Sequence, residues 1–197
     1  MRILAQNLNP KEKSIMKRYV FHLLLIAFVL ASCNKSLNHE DIVQPVLFEY
    51  EYVNHSWVYT HNGWMIDENG DVRGFNLPDN WTFPDADGYI SKDDLKENLA
   101  NTDTIFHTVN KDKMLNYFAS RNKLLLGEVD TSDTMMADAG MSVMYVYVWN
   151  SNKELYKRKL LKSKGDFQLT NNSVKTKETV DWLESVGKKT GRFYWGF

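Results

Sequence analysis

The sequence predicts an α+β domain, an antiparallel sheet of about five strands with about three helices packed on one face. Extended and helical patterns follow one another in the order strands, helices, strands, helix, which is the layout of that class. Turn residues stand where hairpins need them, at Asn69-Gly70 and at 150–152. There is no glycine-rich phosphate loop and no strict βαβ alternation, so a doubly wound nucleotide fold is not expected.

The elements run as follows. In VLFEYEYVNHSWVY, from Val46, Leu47, Glu49 and Glu51 alternate with Phe48, Tyr50 and Tyr52, an extended pattern with one largely aromatic face. Gly63 to Asn76 reads as two short strands about Asp67-Glu68-Asn69-Gly70, where Asn-Gly supplies the positive φ angles of a hairpin. A Pro/Asp-rich loop, LPDNWTFPDADGY, interrupts the pattern. Ser91 is a candidate N-cap, with Asp93 and Asp94 in the first turn of a helix through Ala100. A second helix begins near Asn110, with Met114, Phe118 and Leu125 on one stripe. A second hairpin pairs Val143 to Trp149 with Leu155 to Leu161, framed by turns at Asp138-Ala139-Gly140 and Gly165-Asp166. Its outer strand carries Lys153, Lys157, Arg158 and Lys159, as a solvated or edge strand would. TKETVDWLESVGKK closes the domain as a helix with Val180 and Leu183 inward.

The N-terminal part has a different character. Lys17 and Arg18 precede an almost wholly apolar run, Tyr19 to Leu30, which ends in Ala31, Ser32 and the only cysteine, Cys33. A charged head, a short greasy run and small residues make an export signal. The run is shorter than the roughly 20 apolar residues a bilayer span needs. LASC, Leu30 to Cys33, resembles a bacterial lipobox. The resemblance implies cleavage before Cys33, a diacylglyceryl group on its sulfur and acylation of its new amine. Two or more acyl chains make membrane attachment stable where one does not. Residues 1–32 are then a signal peptide, with translation starting at Met1 or Met16. Residues 33–45 are the lipidated cysteine and a tether, and residues 46–197 are a single α+β domain. Asn34 is not the aspartate that retains some lipoproteins at the inner membrane, so the outer membrane is the expected address. The motifs DAGMSVMYVYVW, KGDFQLTNNS and ETVDWL resemble those of small envelope lipoproteins of unassigned function.

Removing residues 1–32 takes away five basic residues and one acidic one. From 24 basic and 25 acidic side chains, 19 and 24 remain, a net charge near −5. Mild acidity argues against nucleic acid, whose phosphates select basic stripes, and against adhesion to anionic lipid by charge. With Cys33 acylated no thiol remains for disulfides, metal or nucleophilic chemistry, so the domain depends on core burial.

Candidate sites are few. Asp85, Asp87, Gly88, Ile90, Ser91 and Asp94 fall at calcium-loop spacing, with Asp85, Asp87 and Asp94 as ligands. Phe83 stands where the first ligand belongs, and the same residues serve a turn leading into a capped helix. No other cofactor is expected. Ten aromatic side chains between Phe48 and Tyr89 point to sugar stacking or to core filling, with Trp57 and Trp81 in polar or loop contexts. His55 and His61 lie six apart without an evident third metal ligand. Asp103-Thr104-Ile105 and Asp133-Thr134-Met135 resemble acceptor triplets of a bacterial O-glycosylation system, placing modification on Thr104 and Thr134. There is no G-x-S-x-G elbow. The expected function is a non-catalytic binding module for a protein or glycan partner, an immunity or inhibitor protein being one version. The alternatives are an envelope polysaccharide hydrolase and a calcium-stabilised module.

Overall fold

The computed structural model describes residues 44–56, 58–131 and 138–191, all within one compact unit, Leu37–Phe197. Cys33, Trp57 and Thr134 lie outside the described residues. The strands are β1 Val46–Asn54, β2 Thr60–Asp67, β3 Asp71–Asn76, β4 Tyr89–Ile90, β5 Thr104–Thr108, β6 Val129–Thr131, β7 Met141–Asn150, β8 Leu155–Gly165 and β9 Leu169–Asn171. The helices are α1 Lys92–Ala100, α2 Lys111–Phe118, α3 Arg121–Leu126 and α4 Thr176–Gly187. Among the described residues no helix is long and apolar enough to cross a membrane.

The domain is α+β around one antiparallel sheet, ordered β5-β3-β2-β1-β7-β8-β9-β6, with β4 also paired to β8. Nine strands replace the expected five. Three of them, β4, β6 and β9, are only two or three residues long, too short to show a period. The segment around Thr104 lies between helices and is β5, an edge strand. The long first segment is broken, β1 ending at Asn54 and β2 starting at Thr60, so the two pair as a hairpin.

The helices occupy both faces, not one. Met114, Leu115 and Phe118 of α2, Leu124 of α3 and Val180, Trp182, Leu183 and Val186 of α4 share a core with Phe48, Tyr50, Trp64, Met144 and Val146. Leu95 of α1 packs instead with Met65, Phe75, Tyr147 and Tyr156, whose side chains leave the opposite face. That second cover changes the meaning of the strand patterns. In β1 the alternation is real, but Glu49 and Glu51 are 0 % and 4 % exposed, so both faces are buried.

Local chemistry fixes the ends. The β2–β3 connection has three residues, with φ +87° at Gly70 only, so it is a type I turn with a bulged glycine, where the sequence had implied two positive φ values. Asp67 Oδ1 accepts from the Asn69 and Asp71 N–H groups and holds it. Ser91 caps α1 by accepting from Asp94 N at 3.0 Å, and Asn110 caps α2 through Lys113 N at 2.9 Å. The second hairpin forms as expected, with Asp138, Gly140 and Gly165 at positive φ in the turns that frame it. Its second strand is not an edge, because β8 lies between β7 and the pair β4 and β9.

Candidate functional site

The alternation of β1 puts Glu49 and Glu51 side by side on the face that α1 partly covers. The same period in β7 brings up Tyr145 and Tyr147, β8 contributes Arg158 and β2 contributes His61. Arg158 Nη1 lies 3.5 Å from Glu49 Oε2 and 3.3 Å from Glu51 Oε1. Tyr145 Oη donates to Glu51 Oε1 at 2.9 Å, and Tyr147 Oη donates to Glu49 Oε2. His61 Nε2 is 3.2 Å from Glu51 Oε2. Arg158 stacks over the Tyr145 ring, 4.1 Å from its centroid.

The two carboxylates differ in electrostatics. Burial pushes the Glu49 carboxyl above the usual carboxylate range, Arg158 opposing it incompletely and Glu51 adding to it. Burial acts on Glu51 in the same sense. There Arg158, His61 and Tyr145 outweigh it and hold the group below the usual range. The difference matches the partners, since Glu49 Oε1 has no hydrogen bond among the described residues while both oxygens of Glu51 have one. Burial and the nearby glutamates push both phenols well up, so the tyrosines stay donors. Glu51, Glu49 and the phenols overcome the burial of Arg158 and raise its pKa, keeping it charged.

His61 joins this cluster to an aromatic wall. Its ring lies 5.0 Å from Phe75, 5.2 Å from Trp81 and 5.1 Å from Phe83, and Phe75 and Trp81 are 4.4 Å apart. The loop after β3 that carries Trp81 and Phe83 is tied at several points. Leu77 N donates to His61 O at 2.7 Å. Asn98 of α1, buried, accepts from Thr82 N at 2.9 Å and donates to Thr82 O at 2.7 Å. Asn101 Nδ2 donates to Asn80 O at 2.5 Å. Phe83 is nevertheless 47 % exposed and Leu77 48 %.

The expected site residues fare differently. Trp81 is in the wall, half-buried. Asp85 Oδ1 accepts from Tyr89 N at 2.8 Å, closing the turn before β4, and Asp94 Oδ2 accepts from Ser91 Oγ at 2.6 Å inside the helix cap. The Asp87 carbonyl accepts from Lys157 Nζ. Among the described residues no three His, Cys, Asp or Glu side chains come together as a metal site requires, so these aspartates are not brought to one point. His55 stacks against Tyr59 and His61 against Glu51 and the wall. Thr104 is exposed as the first residue of β5, in a strand where a loop was expected. Sequence reasoning missed Glu49, Glu51, Tyr145, Tyr147 and Arg158. A signal was present: two glutamates at i, i+2 between large apolar neighbours, and two tyrosines at the same spacing in VMYVYVW.

No protein-family model, no curated protein and no solved structure matches this chain. Its function rests on the geometry.

Proposed function

We propose that the chain is exported, cleaved before Cys33 and held by lipid in the outer membrane, where its domain binds a glycan without transforming it. The observation that carries the binding role is the wall. Phe83 stays half exposed although its loop is fixed by Asn98, Asn101 and the rings around His61. An aromatic face held in solvent by a rigid loop meets a ligand without an ordering cost. Sugar rings present flat C–H faces that aromatic rings cover, and Asp79, Asn80 and Thr82 of the same loop supply polar groups beside them. The non-catalytic reading is supported by the cluster behind the wall, where Glu49, Glu51 and His61 are 0 %, 4 % and 1 % exposed and Glu51 is paired with His61 and Arg158.

Affinity electrophoresis of the purified chain through gels containing soluble polysaccharides tests this. Retardation by at least one polysaccharide, lost in Phe83→Ala with unchanged melting temperature, is the expected result. Migration unaffected by every polysaccharide overturns the glycan reading in favour of a protein partner, and retardation indifferent to Phe83→Ala overturns the wall as the glycan site. A hydrolase is the second reading, because two carboxylates with oppositely shifted pKa values sit beside an aromatic wall. Release of reducing ends that Glu49→Gln abolishes without a change in melting temperature would establish it over simple binding.

A further inference from the structure

The two ends of the sheet differ, and the chain enters at only one of them. Val46 pairs with Asp67 at the start of β1, beside the β2–β3 turn. Gln44 Nε2 donates to Tyr147 O at 3.1 Å and to Val46 O at 2.7 Å, which fixes the entry next to β7. The β7–β8 turn, between Asn150 and Leu155, closes the same end. Trp149 stands there 42 % exposed, with its ring against Tyr156 at 4.9 Å. Beside Tyr156, in β4, Tyr89 is flanked by Lys153 Nζ at 3.9 Å and Lys157 Nζ at 4.6 Å from its ring centroid. The other end carries Asn54 paired with Thr60, Val53 paired with His61 and Met141, and the start of the Trp81–Phe83 loop at Leu77.

We propose that the β7–β8 end of the domain rests on lipid headgroups with Trp149 at the interface, and that the Trp81–Phe83 wall faces away from the membrane. This rests on the lipid anchor at Cys33. Cys33 and Gln44 are 11 residues apart. Eleven residues reach at most about 40 Å from the anchor. At about 3.3 Å per residue β1 is roughly 26 Å long, so the entry end is the one held close to the bilayer. A tryptophan exposed at that end suits the headgroup layer, where an amphipathic ring has one apolar face and one wet edge. Charge does not drive the contact, because Lys153 and Lys157 share this end with Glu68 and Glu154. Contact is therefore insensitive to anionic lipid, and the glycan site points outward.

The lipidated protein, purified from membranes and reconstituted in phosphatidylcholine vesicles with brominated chains, gives the test. Tryptophan emission is quenched on flotation, and Trp149→Phe removes most of that quenching while Trp81→Phe leaves it. Replacing a third of the lipid by phosphatidylglycerol changes the quenching by less than a tenth. A spin label on Trp149→Cys is several-fold more accessible to oxygen relative to a nickel chelate than one on Phe83→Cys, the acylated Cys33 being unable to take label. Protein that floats but shows quenching indifferent to Trp149→Phe overturns the orientation alone. Protein that does not float, or whose mass shows an unmodified Cys33, overturns the anchor and the orientation together, whatever the polysaccharide gels show.

Discussion

Glu49 and Glu51 differ by two positions in one strand and carry opposite consequences for stability. The Glu51 pKa is depressed in the fold, so its contribution is complete above the ordinary glutamate range and is lost as pH falls through the folded value. The Glu49 pKa is raised, so the fold disfavours its ionised form, and stability declines as pH climbs from the ordinary value through the folded one. Glu51→Gln leaves the guanidinium of Arg158, 13 % exposed at its side chain, with an amide in place of its nearer carboxylate. Breaking a buried pair in this way costs about 3–5 kcal/mol. Glu49→Gln removes a carboxyl group whose ionised form burial disfavours. Its expected cost near neutral pH is below about 1 kcal/mol, and the decline on the alkaline side disappears. Urea titrations of both variants across pH 4 to 9 check the asymmetry, and equal losses would show that Glu49 is held as an anion like its neighbour.

At the scale of elements, the loop after β3 depends on α1, since Asn98 makes both of its side-chain bonds to the backbone of Thr82. Asn98→Ala strands two part-buried backbone groups, at about 1–1.5 kcal/mol each. Faster amide exchange from 77 to 90, with β7 and β8 unchanged, is the expected signature. Ser91→Ala removes the cap of the same helix for about 1 kcal/mol. It should raise exchange in the first turn of α1 and leave Thr82 protected. These elements also show what the sequence could tell. Caps and turns are local, so Ser91, Asn110, Gly70 and the ends of the second hairpin were legible from neighbouring residues. Burial of a strand's second face is not local. Glu49, Glu51 and Arg158 look solvated in sequence, and only the return of α1 over that face turns them inward. The wall falls between these cases: Trp81 stood out by its context, but its position against His61 depends on a loop that α1 holds.

For the whole molecule, two covered faces mean that the domain holds itself together by burial on both sides of a continuous sheet. Asp85 and Asp94 contribute to that fold by closing a turn and a helix cap, one oxygen of each accepting a hydrogen bond there, and no metal-ligand cluster forms around them among the described residues. A ligand that binds only the folded state stabilises it by about 2.7 kcal/mol at a hundredfold excess over its dissociation constant. In a domain of this size that corresponds to a rise of roughly 5–10 °C in melting temperature. Five millimolar calcium should therefore leave the transition within about 1 °C of its value in chelator. Differential scanning calorimetry of the same preparation in both buffers decides it: a rise of several degrees would mean that Asp85, Asp87 and Asp94 converge in solution as their spacing proposed. An unchanged transition would leave loop 77–88 as a platform fixed by hydrogen bonds and ring contacts, whose exposed Phe83 is available to a ligand at any calcium level.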